Sequence, residues 1–430
     1  MDYMFIYQSR NIKEDVMQRC VIIGGGHAGA QACASLRKEG WTGQIMLITD
    51  EDSLPYHRPP LSKTYLQNQV SAEQLLIRPE AAYIKDDIDV WLNTRVDKIE
   101  PAIQSIQLQS GEHISFDKLL ICTGSRARKA DCLGADLGNI FYIKTLNDIE
   151  SLSAALTCDD SKKSRRIVMV GGGYIGLETA SVLKKMGHDI TIIERESRLL
   201  ARVTAQSIST FYHKLHKRNG IKIFTDTNVV AFQGKDTVST VLCDDKVIPA
   251  DIVIVGIGAQ TNTELAHSAG LLVENGGIVV NELCQTTDVN IYAAGDCTIG
   301  IEHHSGLATR IESVPNALEQ AKTAAATICG KHKPVTSVPW FWSDQFDCKI
   351  QIAGLNTGYD ETLLRQADNQ TLSLWYLKQG RVIAADCINS AKDFMAAKKI
   401  IAQKIHVPRE ILSNLDVDLF KELARLTQPS

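Results

Sequence analysis

Two short glycine runs constrain this chain more than anything else in it. Gly24-Gly25-Gly26-His27-Ala28-Gly29 and Gly171-Gly172-Gly173-Tyr174-Ile175-Gly176 share the G-x-G-x-x-G spacing, and each stands between an apolar strand pattern and a helical one. Cys20-Val21-Ile22-Ile23 reads as a buried parallel strand feeding straight into Gly24, and Ile167-Val168-Met169-Val170 does the same for Gly171. In that setting the first glycine makes the tight turn. The second, Gly26 or Gly173, lets the backbone approach a pyrophosphate, and the last, Gly29 or Gly176, lets the helix pack closely on the sheet. The helix that follows presents free amide N–H groups and a positive dipole end to the phosphates. The pair predicts a chain that holds two dinucleotides at once.

The strand after each run says more about the ligand. Ile45-Met46-Leu47-Ile48, reached by a helix that stops near Gly40, ends at Thr49-Asp50-Glu51, and Ile190-Thr191-Ile192-Ile193 ends at Glu194. A carboxylate at that tip accepts the ribose hydroxyls and repels a 2′-phosphate, so Glu194 argues for NAD over NADP. Arg195 and Arg198 stand close by, and either could accept a phosphate instead.

With 430 residues, 44% of them hydrophobic and 22% charged, the chain can bury more than one core, and two or three domains are expected. A net charge of -4 gives no global field to attract nucleic acid, and no apolar run approaches a membrane span, so a soluble protein is expected. Met1 to Arg19 carries charges throughout, reads as a disordered extension rather than a signal peptide, and makes Met17 an alternative start. Eleven cysteines, an odd count, point to a reducing, cytoplasmic compartment. None of them forms a C-x-x-C or C-x-x-x-x-C pair, which a flavin disulfide reductase needs for its redox dithiol. The eleven histidines show no zinc spacing, His303-His304 included, and no protein-bound metal is expected.

Further strands complete the pattern. Leu119-Leu120-Ile121-Cys122-Thr123-Gly124 and Ile252-Val253-Ile254-Val255-Gly256-Ile257-Gly258 each end in a small glycine turn, and Ile291-Tyr292-Ala293-Ala294-Gly295-Asp296 ends in a carboxylate. Asp296 reads either as a ribityl ligand or as a helix N-cap. The expected class is α/β, with two Rossmann-like dinucleotide-binding domains and a C-terminal α+β domain. After an extension over 1–16, a discontinuous first domain takes 17–125 and 261–333 and a second takes 126–260. The third, over 334–430, carries an antiparallel sheet followed by helices from Ala391. Cys158-Asp159-Asp160-Ser161 and Thr225 to Gly234 read as surface loops.

From about Cys20 onward the chain resembles the FAD-dependent NADH:ferredoxin reductases of bacterial oxygenase systems, which have a glutathione-reductase-type fold. The resemblance is most specific at Arg58-Pro59-Pro60-Leu61-Ser62-Lys63, at Gly171 to Glu178, at Arg310-Ile311-Glu312-Ser313-Val314-Pro315-Asn316-Ala317 and at Pro339-Trp340-Phe341-Trp342-Ser343-Asp344-Gln345. It implies FAD at the first fingerprint, with Gly24, Gly26, Ala28, Gly29, Asp50, Arg58, Lys63, Val96, Lys144, Asp296 and Val314 around it. It implies NAD(H) at the second, with Gly171, Gly173, Ile175, Gly176, Glu178, Glu194 and Gly258. Lys144 stands where relatives often have Arg, so a bidentate clamp is lost while the charge remains.

The implied chemistry suits these residue types. A helix N-terminus opened by Val314 favours the negative charge of a reduced flavin, and a Glu178 partner offsets the cost of burying Lys63. That pair would hold the nicotinamide in place, and positioning is most of what hydride transfer asks of a protein. Read without the resemblance, Lys63 fits a solvated turn, Glu178 a helix-face charge, and Trp340 and Trp342 ordinary packing. The resemblance places Trp342 beside flavin and nicotinamide as the third catalytic-site residue. The implied partner is an acidic 2Fe-2S ferredoxin, met through a basic patch for which Arg310 is the candidate. An NADH oxidase or diaphorase, a rubredoxin or Rieske-type acceptor, and a low-turnover flavoprotein signalling module stay open as alternatives.

Overall fold

Around the first glycine run the apolar strands assemble into one parallel sheet. This computed structural model describes residues 17–157 and 164–427, so the expected extension over 1–16 and the expected loop at Cys158 to Ser161 lie outside the described residues. The sheet runs in the order Ile291–Ala293, Lys118–Ile121, Arg19–Ile23, Gln44–Ile48, Ile88–Trp91, every pairing parallel. Both faces are covered, and so its strands are largely apolar rather than alternating, apart from the edge strand Ile88–Trp91, where Asp89 is exposed. On one face lie the helices His27–Glu39 and Val314–Ile328, which meet through small side chains that include Ala28, Ala32, Ala317, Ala321 and Ala324. Gly40 ends the first helix in the left-handed conformation with φ 102°.

The second run repeats the arrangement. Lys222–Phe224, Asp189–Ile193, Arg166–Val170, Ile252–Val255 and Ile140–Phe141 form a second parallel sheet, and Tyr174–Lys185 is the helix after the glycines. The copies agree at the level of single bonds. Gly24 N–H donates to Ile48 O and Gly171 N–H to Ile193 O, each at 2.8 Å. Both glycines hold a positive φ, 114° and 107°, and a Cβ would lie 2.2 Å from Cys122 O in one copy and 2.4 Å from Gly256 O in the other. Only glycine fits either turn. The chain passes between the two units through an antiparallel pair, Ser125–Ala127 with Ala259–Thr261.

One expected loop is a strand. Within Thr225 to Gly234, residues Val229–Gly234 pair with Val238–Cys243, which pairs in turn with Val247–Pro249. Phe232 is buried with Val241 and Ile248 in the core of this small sheet, and Ala231 beside it is buried as well. The strand has a register shift between Val229 and Ala231 and ends in a polar hairpin tip, so its sequence shows no alternation.

The C-terminal sheet is antiparallel, in the order Trp340–Gln345, Cys348–Gly354, Arg381–Ile388, Leu372–Lys378, Glu361–Gln366. One face carries the helix Ala391–Gln403 and the other packs on the second unit, where Ile350, Leu374 and Tyr376 join a core with Leu199, Ile208 and Tyr212. Being covered on both sides, Leu372 to Leu377 is buried without a break. Asp386 is sealed in this junction. Its Oδ2 accepts from Thr204 Oγ1 and from the Tyr376 hydroxyl at 2.5 Å, while Oδ1 has no partner among the described residues.

Burial pushes the Asp386 carboxyl up to about 6 against the donors that favour its charge. An acid with a raised folded-state pKa adds stability below its unfolded value that is lost as pH climbs through the folded one. Asp386→Asn should remove that loss, gaining on the parent by about 3 kcal/mol between about pH 4 and about pH 7. Urea unfolding midpoints of the two proteins across that range check it, and parallel curves would contradict it.

Candidate functional site

The first fingerprint opens onto a cavity of about 1000 Å³ that extends to the start of the second-fingerprint helix and to Phe341 and Trp342. Gly24, Gly26 and Ala28 line it, while Gly29 sits beneath, where a Cβ would lie 2.0 Å from Gly24 O. The helix His27–Glu39 has no side-chain cap and no acid in its first turn, so its amide N–H groups are free for an anion. Gly26 is extended, and a Cβ there would meet no protein atom within 4 Å. That open cradle above an uncapped helix fits a pyrophosphate.

Along the cavity, Asp50 stands largely exposed, 3.6 Å from Arg95, and Val96 is a buried lining residue. Arg58 also lines it, but its charge is already paired. Its guanidinium bonds Glu51, Lys144 O at 3.0 Å and the Tyr56 hydroxyl at 3.2 Å. Glu51 and Tyr56 were not among the expected site residues, although Glu51 stood at the expected strand tip. Lys144 and Asp296 meet through Ser125, which accepts from Lys144 Nζ at 2.9 Å and donates to Asp296 Oδ2 at 2.8 Å. Asp296 therefore faces the cavity, 3.6 Å from the lysine, rather than capping a helix. Val314 opens its helix at the cavity, with Ser313 Oγ accepting from Asn316 N–H and Pro315 carrying no N–H. This leaves the Val314 amide as the free donor of that first turn.

In the second copy Glu194 is fixed at the strand tip, with Oε2 accepting from Gly172 N–H at 2.6 Å and Oε1 from Glu196 N–H at 2.8 Å. Gly173 is again extended and open, Ile175 is exposed, and a Cβ on Gly176 would lie 2.6 Å from Gly171 O. Gly258 holds φ 108° near Arg202. Of the neighbouring arginines, Arg195 is exposed and pairs with Glu196 at 3.2 Å, while Arg198 donates to Ala201 O at 2.8 Å and keeps an Nη1 without a partner among the described residues.

The expected catalytic residues converge where the units meet. Lys63 Nζ lies 3.1 Å from Glu178 Oε1 and 2.9 Å from Asp344 Oδ2, with the Trp342 ring centroid 5.9 Å away. Glu178 also accepts from Asp344 N–H at 3.0 Å and from Ser62 Oγ at 3.3 Å. Burial pushes its carboxyl up, and Lys63 is the strongest opposing influence. Asp344 was missed. Its signal was a lone carboxylate two residues after the aromatic run Trp340-Phe341-Trp342. Arg310, expected in a free basic patch, is instead paired with Glu312 at 2.8 Å, so its charge is neutralised locally.

Residues 18–321 match the pyridine nucleotide-disulphide oxidoreductase family, and residues 340–424 match the reductase C-terminal family. The chain belongs to the pyridine nucleotide-disulphide oxidoreductases. Its relatives include putidaredoxin reductase of Pseudomonas putida, 40% identical over 94% of this chain and 96% of that protein. The ferredoxin reductase subunit of 5,5'-dehydrodivanillate O-demethylase from Sphingobium is 38% identical over 94% and 98%. Among solved structures, the covalent putidaredoxin reductase-putidaredoxin complex matches with TM-score 0.92 and 38% identity, covering 96% of this chain and 99% of that one. A water-forming NADH oxidase from Lactobacillus brevis, at 18% identity and TM-score 0.83, shares the fold alone.

In this oxidoreductase the two open glycines separate the two sites. Gly26→Ala should leave the apoprotein folded at a cost of about 1 kcal/mol or less, because its Cβ meets no protein atom within 4 Å and the N-cap preference for Gly over Ala is the main loss. It should nevertheless purify without FAD. Gly173→Val should keep FAD and weaken NAD⁺ binding by more than about tenfold, a loss of about 1.4 kcal/mol. Flavin absorbance of the purified proteins and NAD⁺ titration check both outcomes.

Proposed function

We propose that this oxidoreductase takes a hydride from NADH onto bound FAD and passes single electrons to a 2Fe-2S ferredoxin that serves an oxygenase. The observation that carries the reading is the Lys63, Glu178 and Asp344 cluster. It joins the first-fingerprint cavity to the second-fingerprint helix and to the C-terminal sheet. When bound, FAD supplies the conversion between two-electron and one-electron chemistry.

The chain's own residues bind and orient. Gly24, Gly26, Ala28 and the helix they open hold the FAD pyrophosphate. Asp50 and Val96 serve its adenosine end, and Lys144, Ser125 and Asp296 its ribityl chain. The Val314 amide presents a partial positive charge to the flavin ring. Gly171, Gly173, Ile175 and Gly176 hold the NAD pyrophosphate, with Glu194 and Gly258 at its edges. Glu178, braced by Lys63, orients the nicotinamide, and Trp342 narrows access to the ring. Placing the reactants is the protein's main task here, and no side chain serves as nucleophile. In this scheme 17–125 with 261–333 forms the FAD domain, 126–260 the NAD domain and 334–430 the third domain.

A ferredoxin partner is supported by the relatives, including the solved complex with putidaredoxin. Rubredoxin is the second reading, favoured by a rubredoxin-NAD(+) reductase of Pseudomonas putida 35% identical over 86% of this chain. No helix among the described residues is long and apolar enough to cross a membrane. The ten described cysteines are all free thiols, which fits a reducing compartment, and we place the protein in the cytoplasm.

NADH should bleach the flavin band within seconds on rapid mixing, and the reduced protein should then reduce a 2Fe-2S ferredoxin faster than a rubredoxin. Absence of bleaching ends the enzyme reading, and the reverse acceptor order replaces the partner. Glu194→Gln keeps an acceptor for Gly172 N–H and removes the charge. Its preference for NADH over NADPH should fall by about tenfold, the worth of one charge-assisted contact. An unchanged ratio would remove Glu194 from cofactor choice.

A further inference from the structure

Asp344 sits unlike the other members of the charge cluster. Its side chain keeps 42% of its surface exposed, against 17% for Lys63 and 7% for Glu178. A carboxylate that open to water gains little from an ion pair. Lys63 already has the buried Glu178 as a counter-ion, so a second carboxylate is not needed to neutralise it. Neither stability nor charge balance accounts for Asp344. Its contacts do.

Two of those contacts bear on the same oxygen of Glu178. Strand Trp340–Gln345 is the edge of its sheet, paired only with Cys348–Gly354, so the Asp344 N–H is not spent in the sheet. It donates instead to Glu178 Oε1 at 3.0 Å. Asp344 Oδ2 holds Lys63 Nζ at 2.9 Å, and the nearest Glu178 atom to that ammonium is again Oε1, at 3.1 Å. Oε1 therefore has a donor for each of its two lone pairs. Oε2 is served differently. Its hydrogen bond among the described residues is the long one from Ser62 Oγ, at 3.3 Å, which leaves a lone pair of a charged oxygen open. Glu178 lines the cavity that joins the two fingerprints, so a ligand there can reach it. A flexible ammonium facing a single carboxylate settles between its two oxygens, where the attraction is greatest. The second carboxylate, bonded to the same ammonium, holds it at Oε1.

We propose that Asp344 is a positioning residue of the hydride-transfer site. By keeping Lys63 and its own backbone N–H on Oε1, it reserves Oε2 of Glu178 as the acceptor for the nicotinamide carboxamide. This rests on the reading of Glu178 as the carboxylate that orients the nicotinamide. The carboxamide is the group on that ring with N–H bonds to give, and it stands on the carbon next to C4. Tying it to one oxygen therefore fixes where the transferred hydride sits. Without the Asp344 carboxylate, Lys63 spreads over both oxygens of Glu178 and closes the acceptor to the substrate.

Equilibrium binding to the oxidised, FAD-loaded protein tests it with two nucleotides. One is NAD⁺. The other is its 3-acetylpyridine analogue, in which a methyl ketone replaces the carboxamide and no N–H is left to donate. With a hydrogen bond to a charged acceptor at stake, the parent should bind NAD⁺ about tenfold more tightly than the analogue. In Asp344→Asn, which keeps the backbone N–H and the side-chain size, that ratio should fall to about one. Asp344→Glu, which returns the charge, should restore it. A purely structural role would weaken both nucleotides alike and leave the ratio unchanged. If Asp344→Asn keeps the parental ratio while Glu178→Gln abolishes it, the role of Asp344 is refuted and the reading of Glu178 stands. If Glu178→Gln keeps the ratio, or the parent does not discriminate, the reading of Glu178 falls and the role of Asp344 falls with it.

Discussion

The charge cluster built around the buried Glu178, with Lys63 and Asp344 beside it, is the constraint on which the rest of the architecture depends. A carboxylate as enclosed as Glu178 is costly unless a cation and hydrogen-bond donors surround it, and removing one partner leaves an uncompensated charge. Standing on the helix Tyr174–Lys185, Glu178 draws its partners from two distant stretches of chain, Ser62 and Lys63 at the end of the Pro59–Ser62 turn and Asp344 on the strand Trp340–Gln345. Satisfying the carboxylate therefore requires both nucleotide units and the C-terminal sheet to dock in one arrangement. The same docking closes the inner end of the cavity with Phe341 and Trp342.

The two glycine units share a backbone and differ in what they place at the strand tip. Each has the same amide bond across the turn and the same left-handed glycine. At the residue after the second strand the first copy has Thr49, whose hydroxyl packs under Gly25, and the second has Glu194, bonded to the Gly172 amide. In the first copy the carboxylates arrive later. Asp50 stays exposed, and Glu51 turns inward to hold Arg58 and Tyr56. One fold thus offers a fixed carboxylate in one site and a paired cation in the other.

Much of this was legible before any coordinates. The strands into Gly24 and Gly171, the helix ending at Gly40 and the antiparallel texture after Pro334 follow from local patterning, because burial on both faces demands unbroken apolar runs. Val229–Gly234 was misread as a loop, since its only buried residues, Ala231 and Phe232, are adjacent rather than alternating and the hairpin tip is polar. The meeting of Lys63 with Glu178 was expected from resemblance to a family, not from periodicity. Asp344, Glu51 and Tyr56 escaped notice because each acts through a partner that local patterning does not single out. The pairing of Arg310 with Glu312 escaped notice for the same reason.

The sequence by itself determined that two phosphate-cradling turns exist, since a positive φ beside a carbonyl leaves glycine as the one residue that fits. It also showed no C-x-x-C or C-x-x-x-x-C pair and placed a carboxylate at the second strand tip. Tertiary structure decided which charges are free and which are spent. That outcome depends on side chains from separate units meeting within a few ångströms, and whether a buried carboxylate is tolerated is set by those neighbours rather than by anything local to it.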